Sequence, residues 1–541
     1  MKTTTLLSLL VSLSLTAAAG CATDTIVSPD DYVKTDPGKG DTSVEAIFVD
    51  MEFDGQLLTS STFNPSAKIE DQLLYTIGHL NDDNSLGRLD QLELSNIQTQ
   101  SVDGKTLVTY HARLPVAWGR RNSIPSSYTF RLPKDISFNG LESFTEKYKE
   151  SCVDHAQAHD VTSGSMWYYY RTEAFGCSLD AEDIVTLDAD VSVSAINTTG
   201  KFPEYHKVWE DDTLRVVAVF GKFEDGATTG SDAGISAYNR FVRAIRDELS
   251  GHGVVSDPAS VPLNPGVEMP DIEFVAEIAP GKHIVVTALL VDNVRTAGAT
   301  FDARYGSLSS DADLIAYNGH AGLGANIRAL ARKGAWVTGQ YAVVFMNGCD
   351  TYAYVDSALI DAHAAVNADD PIGTRYVDIV TNAMPSFFHS MPGATLALVR
   401  GLMKFDDPQT YEQIFKNIDR SEVVLVSGEQ DNTFTPGGQG GGGVDWDGMS
   451  EAGDVAQNEE ARFSTPVLRP GRYVFDLTGT QDADLYVRIG KAPTLESFDC
   501  RPFKSGSTET CVVNLSTDAP IHIMVRGFAP SSDYELEGRP E

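Results

Sequence analysis

The chain has 541 residues, of which 42% are apolar, and a net charge of −35 from 41 Lys and Arg against 76 Asp and Glu. That length exceeds what one hydrophobic core fills and divides into about three or four units, and the apolar share excludes a disordered chain. So acidic a surface repels nucleic acid and anionic lipid, which removes nucleic-acid binding from the candidate functions.

Residues 1–20, MKTTTLLSLLVSLSLTAAAG, combine a Lys, an apolar run and small residues, the pattern of a signal peptide too short to serve as a stable membrane anchor. No other segment reaches the roughly 18 apolar residues of a spanning helix. The run ends Ala18-Ala19-Gly20-Cys21, which is similar to the bacterial lipobox. That resemblance implies cleavage before Cys21, acylation of its thiol and a lipid anchor in the membrane. Ala22 rather than Asp follows the cysteine, which implies the outer membrane of the bacterial envelope. Ala18 stands where the lipobox usually has Leu, so plain secretion is the alternative.

Residues 21–41 are polar with Pro and Gly and read as a tether. Residues 42–205 follow as an α+β unit: strands at 44–60, 92–98, 105–115, 127–132 and 180–199, with helices at 66–80 and 141–151. Within it, CVDHAQAHD places His155 and His159 four apart, one helical turn, with Asp154 and Asp160 beside them. That spacing suits a metal, but the H-E-x-x-H pattern is absent. A disulfide-stapled turn leading into an aromatic strand at 166–171 is the structural reading, and no cofactor is expected.

Residues 206–430 alternate strand and helix, which predicts a largely parallel sheet covered on both faces. Apolar runs at 214–220, 282–292, 314–317 and 341–346 are its core strands, and helices are expected at 236–249, 326–333, 354–366, 376–388 and 410–418. The strand at 314–317 leads into Asn318-Gly319-His320, and the one at 341–346 into Asn347-Gly348-Cys349. Parallel neighbours end at the same rim of a sheet, where open α/β folds place their ligands. An imidazole and a thiol would then leave adjacent strand ends, the arrangement that a cysteine nucleophile and its base require.

Six cysteines sharpen that reading in an oxidising compartment. Cys21 is the lipid candidate; Cys152 with Cys177, and Cys500 with Cys511, are close enough to read as disulfides. Cys349 is left alone at the expected rim.

An apolar strand ending at a His beside Gly, and a second ending in a small residue and Cys, resembles the caspase-like cysteine peptidases, the group of caspases, legumains and gingipains. The short His-to-Cys interval is similar to the gingipain end of that group. The resemblance implies Cys349 as nucleophile, His320 as proton carrier, and the backbone N–H groups of Ala321 and Cys349 as the oxyanion hole. The family usually has Gly directly after the His; here Ala321 follows and Gly319 precedes. Asp225 could orient His320 if sheet order allowed it. A helix starting near Asp350 and Thr351 would favour thiolate through its macrodipole, with Asp350 pulling the other way.

Residues 431–460 contain TFTPGGQGGGG and read as a flexible linker. Residues 461–541, with short alternating strands and turns, are expected to form a small β-sandwich. Their DADLYVRIG, FDCRPF and IHIMVRGF segments resemble the bacterial pre-peptidase C-terminal domain, which is commonly appended to secreted peptidases. Asp482 and Asp484 could take calcium, but a solvated strand end is the preferred reading.

The sequence thus points to an exported, monomeric cysteine endopeptidase acting on protein or peptide substrates. The alternatives are a non-catalytic surface lipoprotein for binding or adhesion, in which Cys349 is buried, and a metal-dependent hydrolase using His155 and His159.

Overall fold

A computed structural model describes residues 41–541 apart from 61–62, 157, 159–160, 428–433, 435–445, 447, 470, 491, 496 and 516–518. The expected signal peptide and Cys21 therefore lie outside the described residues. Among the described residues no helix is long and apolar enough to cross a membrane.

The chain forms several sheets, the largest with nine strands. Its five central strands, in spatial order Lys282–Val291, Thr213–Gly221, Leu314–Asn318, Ala342–Asn347 and Val377–Asn382, all run parallel. They are nearly continuous apolar runs such as LIAYN and AVVFMN, buried at every position, as strands covered on both faces must be. One face is covered by helices Ala233–Leu249 and Met391–Leu402. The other is covered by Ala299–Ser309, Ala325–Lys333 and Ala358–Val366. Antiparallel strands finish both edges: Asp271–Ala279 and Val255–Asp257 on one side, Val424–Ser427 on the other.

Three elements differ from the sequence expectation. Residues 376–388 contain the strand Val377–Asn382 rather than a helix. The apolar spacing of Tyr376, Ile379, Val380 and Ala383 is helical, i, i+3, i+4, i+7, and burial between Ala342–Asn347 and Val424–Ser427 overrides it in favour of the strand. Asp271–Ala279, which the expected elements do not include, is a strand paired with its successor. Residues 166–171 contain a one-turn helix, Met166–Tyr169, rather than an aromatic strand.

The N-terminal part folds on a sheet built chiefly from Ile47–Thr59, Lys105–Trp118, Ser127–Pro133 and Ile184–Val193. It is not separate from the parallel sheet. Thr42–Ser43 adds the outermost strand there, against Val424–Ser427. A single apolar core runs from Phe48 and Leu114 through to Ile315, Ala321 and Tyr352. The junction at 201–205 is tied down by Lys201, whose Nζ lies 3.7 Å from Asp378 Oδ1 with both side chains fully buried.

The C-terminal part is a sandwich of a four-stranded and a three-stranded antiparallel sheet around Phe475, Leu485 and Ile523. Its first strand, Met449–Ala456, falls where the sequence suggested the end of the linker. Both expected disulfides, Cys152–Cys177 and Cys500–Cys511, are present.

Candidate active site

The strands Leu314–Asn318 and Ala342–Asn347 pair in register, Asn318 opposite Asn347. Both asparagines are fully buried, and Asn347 Nδ2 donates to Asn318 Oδ1 at 2.9 Å. Ser386 Oγ donates to Asn347 Oδ1 (2.8 Å) and Thr395 Oγ1 to Asn318 Oδ1 (2.9 Å). These bonds engage both polar ends of Asn347 and the oxygen of Asn318, whose Nδ2 has no partner among the described residues, and the chain links the two strand ends. The two asparagines are the clasp beneath the site.

Beyond the clasp the two turns touch. Gly319 N donates to Asn347 O at 3.2 Å. Gly348 faces them so closely that a Cβ there would stand 2.7 Å from Gly319 O and 3.3 Å from Ala321 N. Glycine at 348 is thus a condition of the two strand ends meeting. The turn after His320 is held by its carbonyl, which accepts from Tyr317 Oη and Asn326 Nδ2, each at 2.7 Å. The N–H groups of Ala321 and Cys349 have no hydrogen-bond partner among the described residues.

His320 is exposed, with its ring between Phe223 (centroids 5.0 Å apart) and Phe388 (5.2 Å). Its Nε2 lies 3.1 Å from Phe223 O. A carbonyl only accepts, so Nε2 carries the proton and Nδ1 is left as the basic nitrogen. The orienting group is therefore the Phe223 carbonyl, not Asp225, which the sequence considered. A backbone acceptor carries no residue signature, which is why sequence reasoning missed it.

Cys349 is the free cysteine among the described residues and is half-buried. Its Sγ donates to Ser386 O at 3.4 Å. Burial, with the neighbouring Asp350 adding to it, pushes the thiol up to about 11, while the hydrogen bond with Ser386 acts downward. Thr351–Ala353 is only a 3₁₀ turn, so the expected helix macrodipole is not available to the thiolate. Asp350 is itself fully buried, at φ 54°, and burial pushes its carboxyl up to about 6. Imidazole and thiol thus share one rim, each hydrogen-bonded to a backbone carbonyl.

The other candidates are not gathered there. His155 lies in an exposed turn of the N-terminal part, and His159 and Asp160 lie outside the described residues. Among the described residues no cluster of His, Cys, Asp and Glu could hold a metal ion. Asp484 is engaged by Arg501 (2.9 Å), and Asp482 Oδ1 accepts from Gly506 N.

Residues 461–527 match the family described as bacterial pre-peptidase C-terminal domain, so the chain carries that domain at its C-terminal end. Within it the chain is 44% identical over 59 residues to alkaline serine exoprotease A of Vibrio alginolyticus, covering 11% of each chain. It is 39% identical over 75 residues to a zinc metalloprotease of Helicobacter pylori, covering 14% of this chain and 29% of that one. Among solved structures, the solution structure of vEP C-ter 100 is 30% identical, with 18% of this chain and 96% of that chain covered at a TM-score of 0.15. The chain thus spans between about a tenth and three tenths of the length of these curated relatives.

Proposed function

We propose that the chain is an exported cysteine endopeptidase of the caspase-like type, acting on protein substrates. The observation that carries this reading is the Asn318–Asn347 rung, from which a free thiol and an imidazole each emerge two residues on. Further support comes from the C-terminal domain, which this chain has in common with proteases of serine and metal type. An export signal with Cys21 as lipid anchor accords with such a role, either in the outer membrane or after secretion.

In the proposed reaction His320 Nδ1 takes the Cys349 proton as the sulfur attacks the peptide carbonyl. The oxyanion is received by the unengaged N–H groups of Ala321 and Cys349. His320 then passes its proton to the leaving amine, and water releases the acyl group from sulfur. No cofactor enters. Because burial keeps the resting thiol neutral, the imidazole works as a general base that acts when substrate arrives.

A second reading, a non-catalytic binding lipoprotein, draws on the same hydrogen bonds: the thiol is committed to Ser386 O and the imidazole to Phe223 O. An electrophilic peptide probe separates the readings. Covalent labelling at Cys349, lost with His320→Ala, accompanies peptidase activity; a protein that hydrolyses no peptide and leaves the probe unreacted is a binding protein. A metal-dependent hydrolase would instead lose activity to chelators and ignore the probe.

A further inference from the structure

The loop after Val377–Asn382 carries three ring side chains in a row, Phe387, Phe388 and His389, directly after the Ser386 carbonyl that accepts from the Cys349 thiol at 3.4 Å. The Phe388 ring stands edge-on to His320 (centroids 5.2 Å apart, 74°) and to Phe223 (5.7 Å, 76°), and Phe223 in turn lies 5.0 Å from the imidazole. Three rings thus meet at the rim, each from the segment that follows a different parallel strand: Thr213–Gly221, Leu314–Asn318 and Val377–Asn382.

These rings are not fully covered. Phe223 is 46% exposed and Phe387 41%. A single exposed apolar side chain needs no explanation, but these flank the imidazole on one side and follow the thiol's hydrogen-bond partner on the other. The charged groups around them are paired or withdrawn from solvent. Lys222, just before Phe223, is ion-paired with Asp292 at 2.5 Å. Asp350 is fully buried, and so is Glu422, which accepts from Ser390 and Asn382. Only beyond Phe223 does the loop present exposed carboxylates, Glu224 and Asp225, which repel an acidic ligand.

We propose that Phe223, Phe387 and Phe388 form an apolar subsite that takes a large apolar or aromatic side chain on the substrate residue whose carbonyl meets Cys349. The inference rests on the reading of Cys349 as the reacting thiol. That residue, rather than the one on the leaving side, is assigned because Phe387 and Phe388 continue from the carbonyl bonded to the sulfur. Occupation covers the exposed ring faces and removes apolar surface from water, and an aromatic side chain adds edge-to-face contact. A charged side chain would give up its hydration there without gaining an opposite charge.

The test uses the full chain and the acetylated chloromethyl ketones of phenylalanine, alanine, lysine and aspartate, in which the Cys349 sulfur displaces chloride from the methylene carbon. Labelling is followed by intact mass, and each rate is divided by that of the alanine reagent on the same protein, so that a general change in thiol reactivity cancels. The phenylalanine reagent is expected to react about ten- to hundredfold faster than the alanine reagent, and the lysine and aspartate reagents no faster than it. Phe387→Ala and Phe223→Ala should each lower the phenylalanine ratio by about three- to tenfold, while Phe387→Leu, which keeps apolar bulk, holds it near wild type. Phe528→Ala, exposed on the C-terminal sandwich, should leave it unchanged. Equal rates for the four reagents, a faster lysine or aspartate reagent, or a ratio indifferent to both alanine variants overturns the proposal. Peptide hydrolysis is scored separately. Cleavage after lysine or aspartate but not after phenylalanine keeps the peptidase reading and overturns the subsite; no cleavage of any peptide removes the peptidase reading, while the labelling ratios still decide the subsite.

Discussion

Asn347 donates its side-chain amide to Asn318 across the parallel pairing, at 2.9 Å, with both residues wholly buried. Because the two stand on one rung, every step beyond them is matched: Gly319 beside Gly348, then the turns that carry His320 and Cys349. The placement of the two turns is therefore set below the surface, by buried polar groups.

Under the proposed mechanism, removing either His320 or Cys349 should silence peptide hydrolysis while leaving the fold intact. Cys349→Ala is expected to abolish peptide hydrolysis and probe labelling. His320→Ala should lower turnover by about 10²- to 10⁴-fold, the usual contribution of a positioned proton carrier. Steady-state hydrolysis of a mixed peptide library checks both, and a Cys349→Ala protein with full activity would refute the mechanism.

Asp350 gives a pH dependence of definite sign. Its folded value, about 6, lies above the ordinary 3.8, so the folded state holds the proton more tightly. That contribution to stability is fully present below about pH 4 and is lost as the pH rises through 6. Asp350→Asn should therefore stabilise the protein at pH 8, by up to about 3 kcal/mol, and bring little change at pH 3.5. Urea titrations at the two pH values measure it. The same variant removes a negative neighbour of Cys349 and should speed its alkylation at pH 8; equal rates would contradict the arrangement.

Gly348→Ala tests the contact between the turns. Its Cβ would fall 2.7 Å from the Gly319 carbonyl oxygen, a backbone atom that can yield only by moving the His320 turn. We expect a loss of about 1–3 kcal/mol in stability together with a collapse of probe labelling. Normal labelling in a folded Gly348→Ala protein would show that the turns do not meet as described.

The buried Lys201–Asp378 pair is predicted to secure the junction with the N-terminal part. Asp378 Oδ2 accepts from Tyr341 (2.8 Å) and Tyr411, and Lys201 supplies the compensating charge. Lys201→Met leaves that carboxylate uncompensated and should cost about 3–5 kcal/mol; adding Asp378→Asn should recover part of the loss. A urea midpoint for Lys201→Met equal to that of wild type would count against this role.

The sequence by itself determined the parallel strands, because runs such as LIAYN and AVVFMN are too short and too uniformly apolar to be anything but covered on both faces. It also determined the two disulfides, the C-terminal sandwich and the pair of strand ends carrying His320 and Cys349. It read residues 376–388 as a helix, and only burial between two neighbouring strands makes Val377–Asn382 a strand. Nor could it show what surrounds the thiol. The Phe223 and Ser386 carbonyls are backbone groups without a residue signature. Local pattern records which side a residue faces and how a strand ends. Which polar groups then face one another across the fold depends on long-range packing, and here that packing set the proton on His320 and the charge state of Cys349.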